Sequence, residues 1–160
     1  EERLLTGCGY KIPKDDSFSQ HKIFVWNNVW FSSLNCFEFA NINLRSIYKS
    51  QVDLLAISEY NSDVNYFSNL VESSARDIHC YIAQANTSNF GDSRVCSPSK
   101  TEQKDIIKVK GGLNSVVIVD KLNILALREF QRLNYELQKD RKLEFKPTPP
   151  DFDKNHKRLA

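Results

Sequence analysis

One cysteine in this sequence stands where a thiol could be made reactive. Cys36 follows an apolar-rich stretch that begins at Phe31 and is typical of a strand, and Glu38 and Asn41 follow it as the first turn of a helix. A sharp strand-to-helix turn would place the thiol beside free backbone N–H groups, which favour negative charge on sulfur and on a neighbouring oxyanion. The chemistry predicted is nucleophilic attack by Cys36. The alternative is a buried structural cysteine.

The composition is that of an ordinary soluble globular protein. The chain has 160 residues, of which 41% are hydrophobic and 26% charged, which suits one domain with one core. The net charge of +2 gives no indication of nucleic-acid binding, because basic and acidic residues nearly balance. No membrane-spanning run or signal peptide is visible, so we predict a cytoplasmic location with no membrane contact. The absence of methionine predicts a fragment or a processed product.

The four cysteines form no recognisable metal or disulfide pattern. Cys8, Cys36, Cys80 and Cys96 are far apart, without a C-x-x-C pair or histidines at ligand spacing. We therefore predict no metal site, no cofactor and reduced thiols rather than a disulfide framework. The cysteines other than Cys36 are interpreted as structural.

The periodicity of apolar residues predicts alternating strands and helices. Strands are predicted over 22–26, 29–35, 52–58, 80–85, 105–110 and 115–119, and helices over 38–49, 63–78 and 123–140. This order favours an α/β fold with a mixed sheet and helices on one face. The nearly continuous apolar run at 52–58 should be covered on both faces, so a partner or sequence outside this chain would supply the second cover. The helix after Cys36 should bury Phe39, Ile42 and Ile47.

The C-terminal end is predicted to be a separate tail. Residues 1–145 are interpreted as one domain and 146–160 as an extended, proline-rich basic tail, since its prolines forbid helix. Lys154, Lys157 and Arg158 are expected to be solvated there. An exposed arm of this kind could also pack on a neighbouring subunit.

Four segments in order resemble the C-terminal half of a nitrilase-superfamily (carbon–nitrogen hydrolase) domain. They are Cys36-Phe37-Glu38 followed by Arg45, the run from Val52 to Ser58, the stretch from Ala75 to Asn86, and Gly91-Asp92-Ser93-Arg94 running to Pro98. The resemblance implies an α-β-β-α sandwich, of which this chain holds a part. Such domains also occur fused in apolipoprotein N-acyltransferases, glutamine-dependent NAD synthetases and bacterial defence-associated reverse transcriptases. The partner implied is therefore another domain of a larger chain or a second copy in a homo-oligomer.

The resemblance also implies a Glu-Lys-Cys catalytic set that acts on small amides or nitriles. Cys36 matches the nucleophile that forms a thioester, and the backbone N–H of Phe37 would stabilise the oxyanion. The general-base glutamate and the lysine would precede this sequence, while Glu1 or Glu2 occupies about the place of an assisting glutamate, which we assign to Glu2. The alternative is a non-catalytic nitrilase-like scaffold, or a regulatory or oligomerisation module of a fused protein.

Polar residues at strand ends are the remaining candidates. Glu59, Tyr60 and Asn61 follow a buried strand, where α/β sheets expose ligand-contacting loops, so they could line a substrate pocket or serve as ordinary turn and cap residues. Asn86 closes the next strand and could hydrogen-bond the loops around the cysteine. Arg45 is expected to form a salt bridge with a structural acid, in preference to clamping a substrate carboxylate.

Overall fold

A six-stranded mixed sheet is the frame of the molecule. The computed structural model describes residues 22–112, 117–140 and 142–159, so Glu1, Glu2 and Cys8 lie outside the described part. The strands are β1 Phe24–Trp26, β2 Val29–Asn35, β3 Leu54–Glu59, β4 Tyr81–Asn86, β5 Ser93–Cys96 and β6 Asp105–Val109. They lie side by side in chain order, with β2, β3 and β4 parallel and the other pairs antiparallel. The predicted α/β class and mixed sheet are confirmed.

The helices are short and lie between the strands and after them. They are α1 Cys36–Ala40, α2 Ile42–Ser46, α3 Val64–Ser74 with a π-helical turn Ala75–His79, α4 Ile124–Arg132, α5 Tyr135–Gln138 and the 3-10 turn Lys157–Leu159. Asp63 caps α3, because its Oδ1 accepts the Tyr66 N–H at 3.2 Å. The helix predicted there is confirmed.

The helix predicted over 38–49 is wrong in its length, because Asn41 divides it. The backbone of Asn41 is extended, and its side chain accepts the Asn43 N–H and so begins α2. Asparagine competes for backbone hydrogen bonds and therefore favours caps over helix interiors. Phe39 is buried as predicted, but Ile42 and Ile47 are 64% and 40% exposed.

Two predictions near the C-terminal end are also corrected. The helix predicted over 123–140 breaks at Leu133, whose ψ of 150° is extended, and Leu137 is 58% exposed instead of facing the core. Among the described residues of the strand predicted over 115–119, no strand is present. Val117, Ile118 and Val119 are exposed and belong to no strand. Their β-branched side chains raise strand propensity, but propensity without a pairing edge does not make a strand.

The sheet has one covered face and one partly open face. Leu34, Leu55, Ile57 and Ile82 pack under α1 and α3. On the opposite face a smaller cluster around Tyr81 is covered by α4 and by Phe145. That cover stops near the amino ends of the parallel strands. We call the rest the open face; it consists of Ser33, Ala56, Ser58, Ala83 and Ala85, all half-buried or exposed. The expectation that β3 is covered on both faces therefore holds only at its amino end.

The C-terminal segment packs on its own chain. Arg158 is 1% exposed, and its Nη1 donates to Asp53 Oδ1 at 2.7 Å, so the expectation that Arg158 is solvated is wrong. Asp53 is fully buried and also pairs with Arg128 Nη2 at 2.6 Å. A buried carboxylate needs such partners, since an unpaired charge inside a protein is strongly disfavoured. Phe152 is buried in the same segment. Where the domain ends and the tail begins stays a prediction.

Candidate active site

Cys36 is the first residue of α1 and follows β2 directly. The turn is fixed by a capping box, in which Asn35 Oδ1 accepts the Glu38 N–H at 3.0 Å and Glu38 Oε2 accepts the Asn35 N–H at 2.9 Å. The thiol is half-buried and packs against the apolar cluster beneath α1 and α3. The strand, turn and helix predicted around Cys36 are thus present, with a shorter helix.

The strand register places four polar residues in one row at the carboxyl end of the sheet. Strand β2 pairs with β3 up to the last residue of β2, so one further step brings Cys36 opposite Glu59. Glu59 is itself paired with Asn86. Continuing the antiparallel pairing of β4 with β5 brings Asp92 opposite Asn86. Cys36, Glu59, Asn86 and Asp92 therefore form a row, which we call the carboxyl-end row.

Glu59 is the most perturbed acid of this row. It is 8% exposed, and its Oε2 accepts a hydrogen bond from Gln84 Nε2 at 2.7 Å. Burial raises the pKa of Glu59 to about 7, the hydrogen bond from Gln84 opposes that rise, and the nearby charge of Asp92 adds to it. A carboxyl group with a pKa near neutrality at the carboxyl end of a strand is typical of a functional site.

Asn86 holds together the loops that follow β3 and β4. Its Oδ1 accepts the N–H groups of Asn61 and Thr87 at 3.0 and 2.9 Å. Its Nδ2 donates to the carbonyl oxygens of Asn61 and Gly91 at 2.8 and 3.0 Å. The prediction that Asn86 hydrogen-bonds the loops beside the cysteine agrees with this geometry. The Asn61 side chain makes a local turn by accepting the Asp63 N–H at 2.8 Å.

Aromatic side chains border the row. Phe37, next to Cys36, is 77% exposed, and Tyr60, next to Glu59, is 70% exposed. The Tyr60 ring meets the Phe90 ring edge to face, with centroids 5.5 Å apart. Phe37 and Tyr60 are therefore open to solvent next to the carboxyl-end row.

Arg45 has a local structural role. Its Nη1 donates to the carbonyl oxygens of Phe39 and Ala40 at 3.2 and 3.0 Å, which satisfies the end of α1. Neither the salt bridge nor the substrate clamp considered for Arg45 describes this role.

Sequence reasoning missed Gln84 and Asp92. Alternation along β4 could have indicated Gln84, because it stands two positions before Asn86 and so shares its face. Asp92 belongs to one of the four segments that carry the family resemblance, but its place opposite Asn86 depends on the β4–β5 register, which no local pattern gives.

The other described cysteines are sealed in the core. Cys80 and Cys96 are both 0% exposed, and burial raises the pKa of Cys96 to about 11 and that of Cys80 further still. A thiol with a raised pKa is unreactive at neutral pH. Among the described residues, Cys36 is thus the cysteine placed for chemistry.

A metal-binding cluster and a membrane-spanning helix are both absent from the described residues. No cluster of three or more His, Cys, Asp or Glu there could hold a metal ion. Within the same residues, no helix has the length and apolar character that crossing a bilayer requires.

Comparison with solved structures defines the fold. A CN-hydrolase superfamily protein from Xanthomonas campestris, with an arsenic adduct in its active site, matches 70% of this chain with a TM-score of 0.57 and 14% identity. An amidase of the nitrilase superfamily from Nesterenkonia sp. AN1 matches 64% with a TM-score of 0.52 and 12% identity. Nit3 of Saccharomyces cerevisiae, from branch 10 of that superfamily, matches 59% with a TM-score of 0.51 and 15% identity.

This chain therefore has the fold of part of a nitrilase-superfamily domain. It spans 47%, 41% and 38% of the Xanthomonas, Nesterenkonia and Saccharomyces chains, respectively. No family model matches the sequence. No curated protein matches it either.

Proposed function

We propose that this chain carries the nucleophile-bearing part of a carbon–nitrogen hydrolase centre acting on small amides or nitriles. The observation that carries the proposal is the position of Cys36, which begins a capped helix at the end of a parallel strand. With an amide, Cys36 sulfur bonds to the carbonyl carbon while a base takes the thiol proton. The C–N bond then breaks, the amine leaves with that proton, and water hydrolyses the thioester.

Within the chain, two groups support the reaction at Cys36. The backbone N–H of Phe37 lies in the first turn of α1, where N–H groups have no intrahelical acceptor and suit an oxyanion. In this proposal Phe37 and Tyr60 contact the substrate, and Asn86 positions the loop that follows β3. The general base and the lysine would come from sequence outside this chain, with Glu2 assisting.

Trapping of the nucleophile tests this function. We expect iodoacetamide at neutral pH to modify Cys36 at least about tenfold faster than Cys80 or Cys96, because those thiols are sealed and protonated. The measurement is peptide mapping by mass spectrometry, with Cys36→Ala as the control. Equal labelling of all three would reject Cys36 as the accessible nucleophile.

Hydrolysis is expected only when the upstream part is present. A thiol without a neighbouring base to take its proton is a weak nucleophile, so Cys36 needs the base that the upstream part would supply. Amide hydrolysis by these 160 residues alone would therefore contradict the division of the catalytic set. A longer form should hydrolyse amides, and Cys36→Ala should abolish the thioester seen by intact-mass analysis.

The second candidate is a non-catalytic nitrilase-like module that binds another domain or a second copy. The open face favours it, and so does β1, whose Phe24, Val25 and Trp26 are 47%, 55% and 71% exposed. A longer form that folds and assembles but never forms a Cys36 thioester would support this candidate. A reducing compartment such as the cytoplasm suits either function, because Cys36, Cys80 and Cys96 are free.

A further inference from the structure

Buried oxygen atoms beside Cys36 lack hydrogen-bond donors. Glu59 Oε1 and Gln84 Oε1 are both buried without a partner, although the two side chains are joined by the Gln84 Nε2 to Glu59 Oε2 bond. Glu59 and Gln84 are 8% and 4% exposed. Buried polar atoms are nearly always satisfied in native proteins, and an exception needs an explanation.

The charged groups around these oxygens also leave a negative charge without a matching cation. Asp92 lies near Glu59 and adds to the rise in its pKa. The cation paired with Asp92 is Lys108, at 3.3 Å, and Lys108 is one third exposed at the outer strand. Arg94 faces Gln84 across the strands; its Nη atoms donate to Ser68 and Asp105, while its Nε is buried without an acceptor. Among the described residues no guanidinium or ammonium group is hydrogen-bonded to Glu59, so a donor that carries positive charge would satisfy its free oxygen.

The surroundings suit a cation that belongs to a ligand. Tyr60 and Phe90 meet edge to face beside Glu59, and aromatic rings attract cations as well as alkyl chains. The row places this spot next to Cys36, because neighbouring strands are about 5 Å apart. An amide held at Cys36 would extend a short side chain to Glu59.

We propose that Glu59, Gln84 and Asp92 form a subsite for a positively charged nitrogen group, so that the preferred substrate is a small amide carrying an ammonium group. This specificity rests on the proposed function of Cys36. Glu59 is the binding carboxylate, Gln84 orients it, and Asp92 supplies further negative charge.

A matched pair of ligands tests the subsite. Binding of 4-aminobutanamide and pentanamide, which differ by an ammonium group in place of a methyl group, is measured calorimetrically at pH 8 with the Cys36→Ala protein, in a longer form that includes the upstream part. We expect the ammonium amide to bind at least about tenfold more tightly. Glu59→Gln should remove that preference, while Glu129→Gln, an exposed change on α4, should keep it.

Failure of the subsite can be distinguished from failure of the proposed function. Equal affinities, no binding of either amide, or a preference that survives Glu59→Gln would overturn the subsite. We also expect proton release on binding at pH 7, because a bound cation lowers the pKa of Glu59. Calorimetry in buffers of different ionisation enthalpy measures this release. Failure of the proposed function would appear instead as absent adduct formation at Cys36, which the binding measurement does not require.

Discussion

At the scale of single residues, Glu59 couples the site to the stability of the fold. In the unfolded chain its carboxyl group ionises near the ordinary pKa of 4.5, whereas burial raises the pKa in the folded protein to about 7. Between these values the folded state binds more protons, so stability falls as pH rises from about 4.5 to 7. Below that window Glu59 is protonated in both states and imposes no charge penalty.

Replacing this carboxyl group should therefore stabilise the protein at high pH. We expect Glu59→Gln to raise the free energy of unfolding by about 1 to 2 kcal/mol at pH 8 and to change it little at pH 4.5. Urea denaturation at the two pH values measures the difference, with Glu129→Gln as the exposed control. A variant that is equally stable or less stable at pH 8 would show that Glu59 is not held as an unpaired buried charge.

At the scale of elements, a buried ion-pair cluster helps to attach the C-terminal segment. Asp53, at the start of β3, accepts hydrogen bonds from Arg128 on α4, from Arg158 and from the Trp30 N–H. The cluster joins the sheet, a helix and the chain end, so removing one cation leaves the carboxylate partly unpaired.

Breaking the Arg158 contact should release the segment. We expect Arg158→Gln to lower the free energy of unfolding by about 2 to 4 kcal/mol and to speed proteolysis near residues 150–156. Lys157→Gln is the matched control. That neighbouring side chain is exposed and lies over the Trp30 ring, so its loss should change stability by less than about 1 kcal/mol. Similar stability of the two variants would mean that the ion pair does not hold the segment.

The same elements show what sequence patterns could and could not predict. Apolar alternation and run length identify most strands, and a cap such as Asp63 can be indicated by a local pattern because it bonds a residue three positions away. The sequence pattern places Asn41 in the first turn of one helix, whereas the structure divides that helix at Asn41. Arg158 could not be predicted, because its partner Asp53 lies 105 positions earlier in the chain. For the site, strand ends indicated Glu59 and Asn86, whereas their row with Cys36 needed the register.

At the scale of the whole molecule, the open face of the sheet is the surface on which another layer of the fold could pack. Its residues are small, as in Ala56, Ser58, Ala83 and Ala85, and small side chains on a sheet allow another layer to approach closely. The chain spans less than half of each of the three similar structures, and the α-β-β-α sandwich that the family resemblance implies has a second sheet. We therefore propose that the upstream part of the domain covers the open face.

A charged residue on that face should affect only the longer form. In the present chain, Ala85→Lys should change the free energy of unfolding by less than about 0.5 kcal/mol, because Ala85 is exposed. In a longer form, the buried ammonium group should lower stability by at least about 2 kcal/mol and reduce amide hydrolysis. Asn65→Lys on the exposed side of α3 is the control, expected to be neutral in both forms. Equal tolerance of Ala85→Lys in both would show that the upstream part does not pack on the open face, because a sheet packed there leaves no room for a lysine side chain.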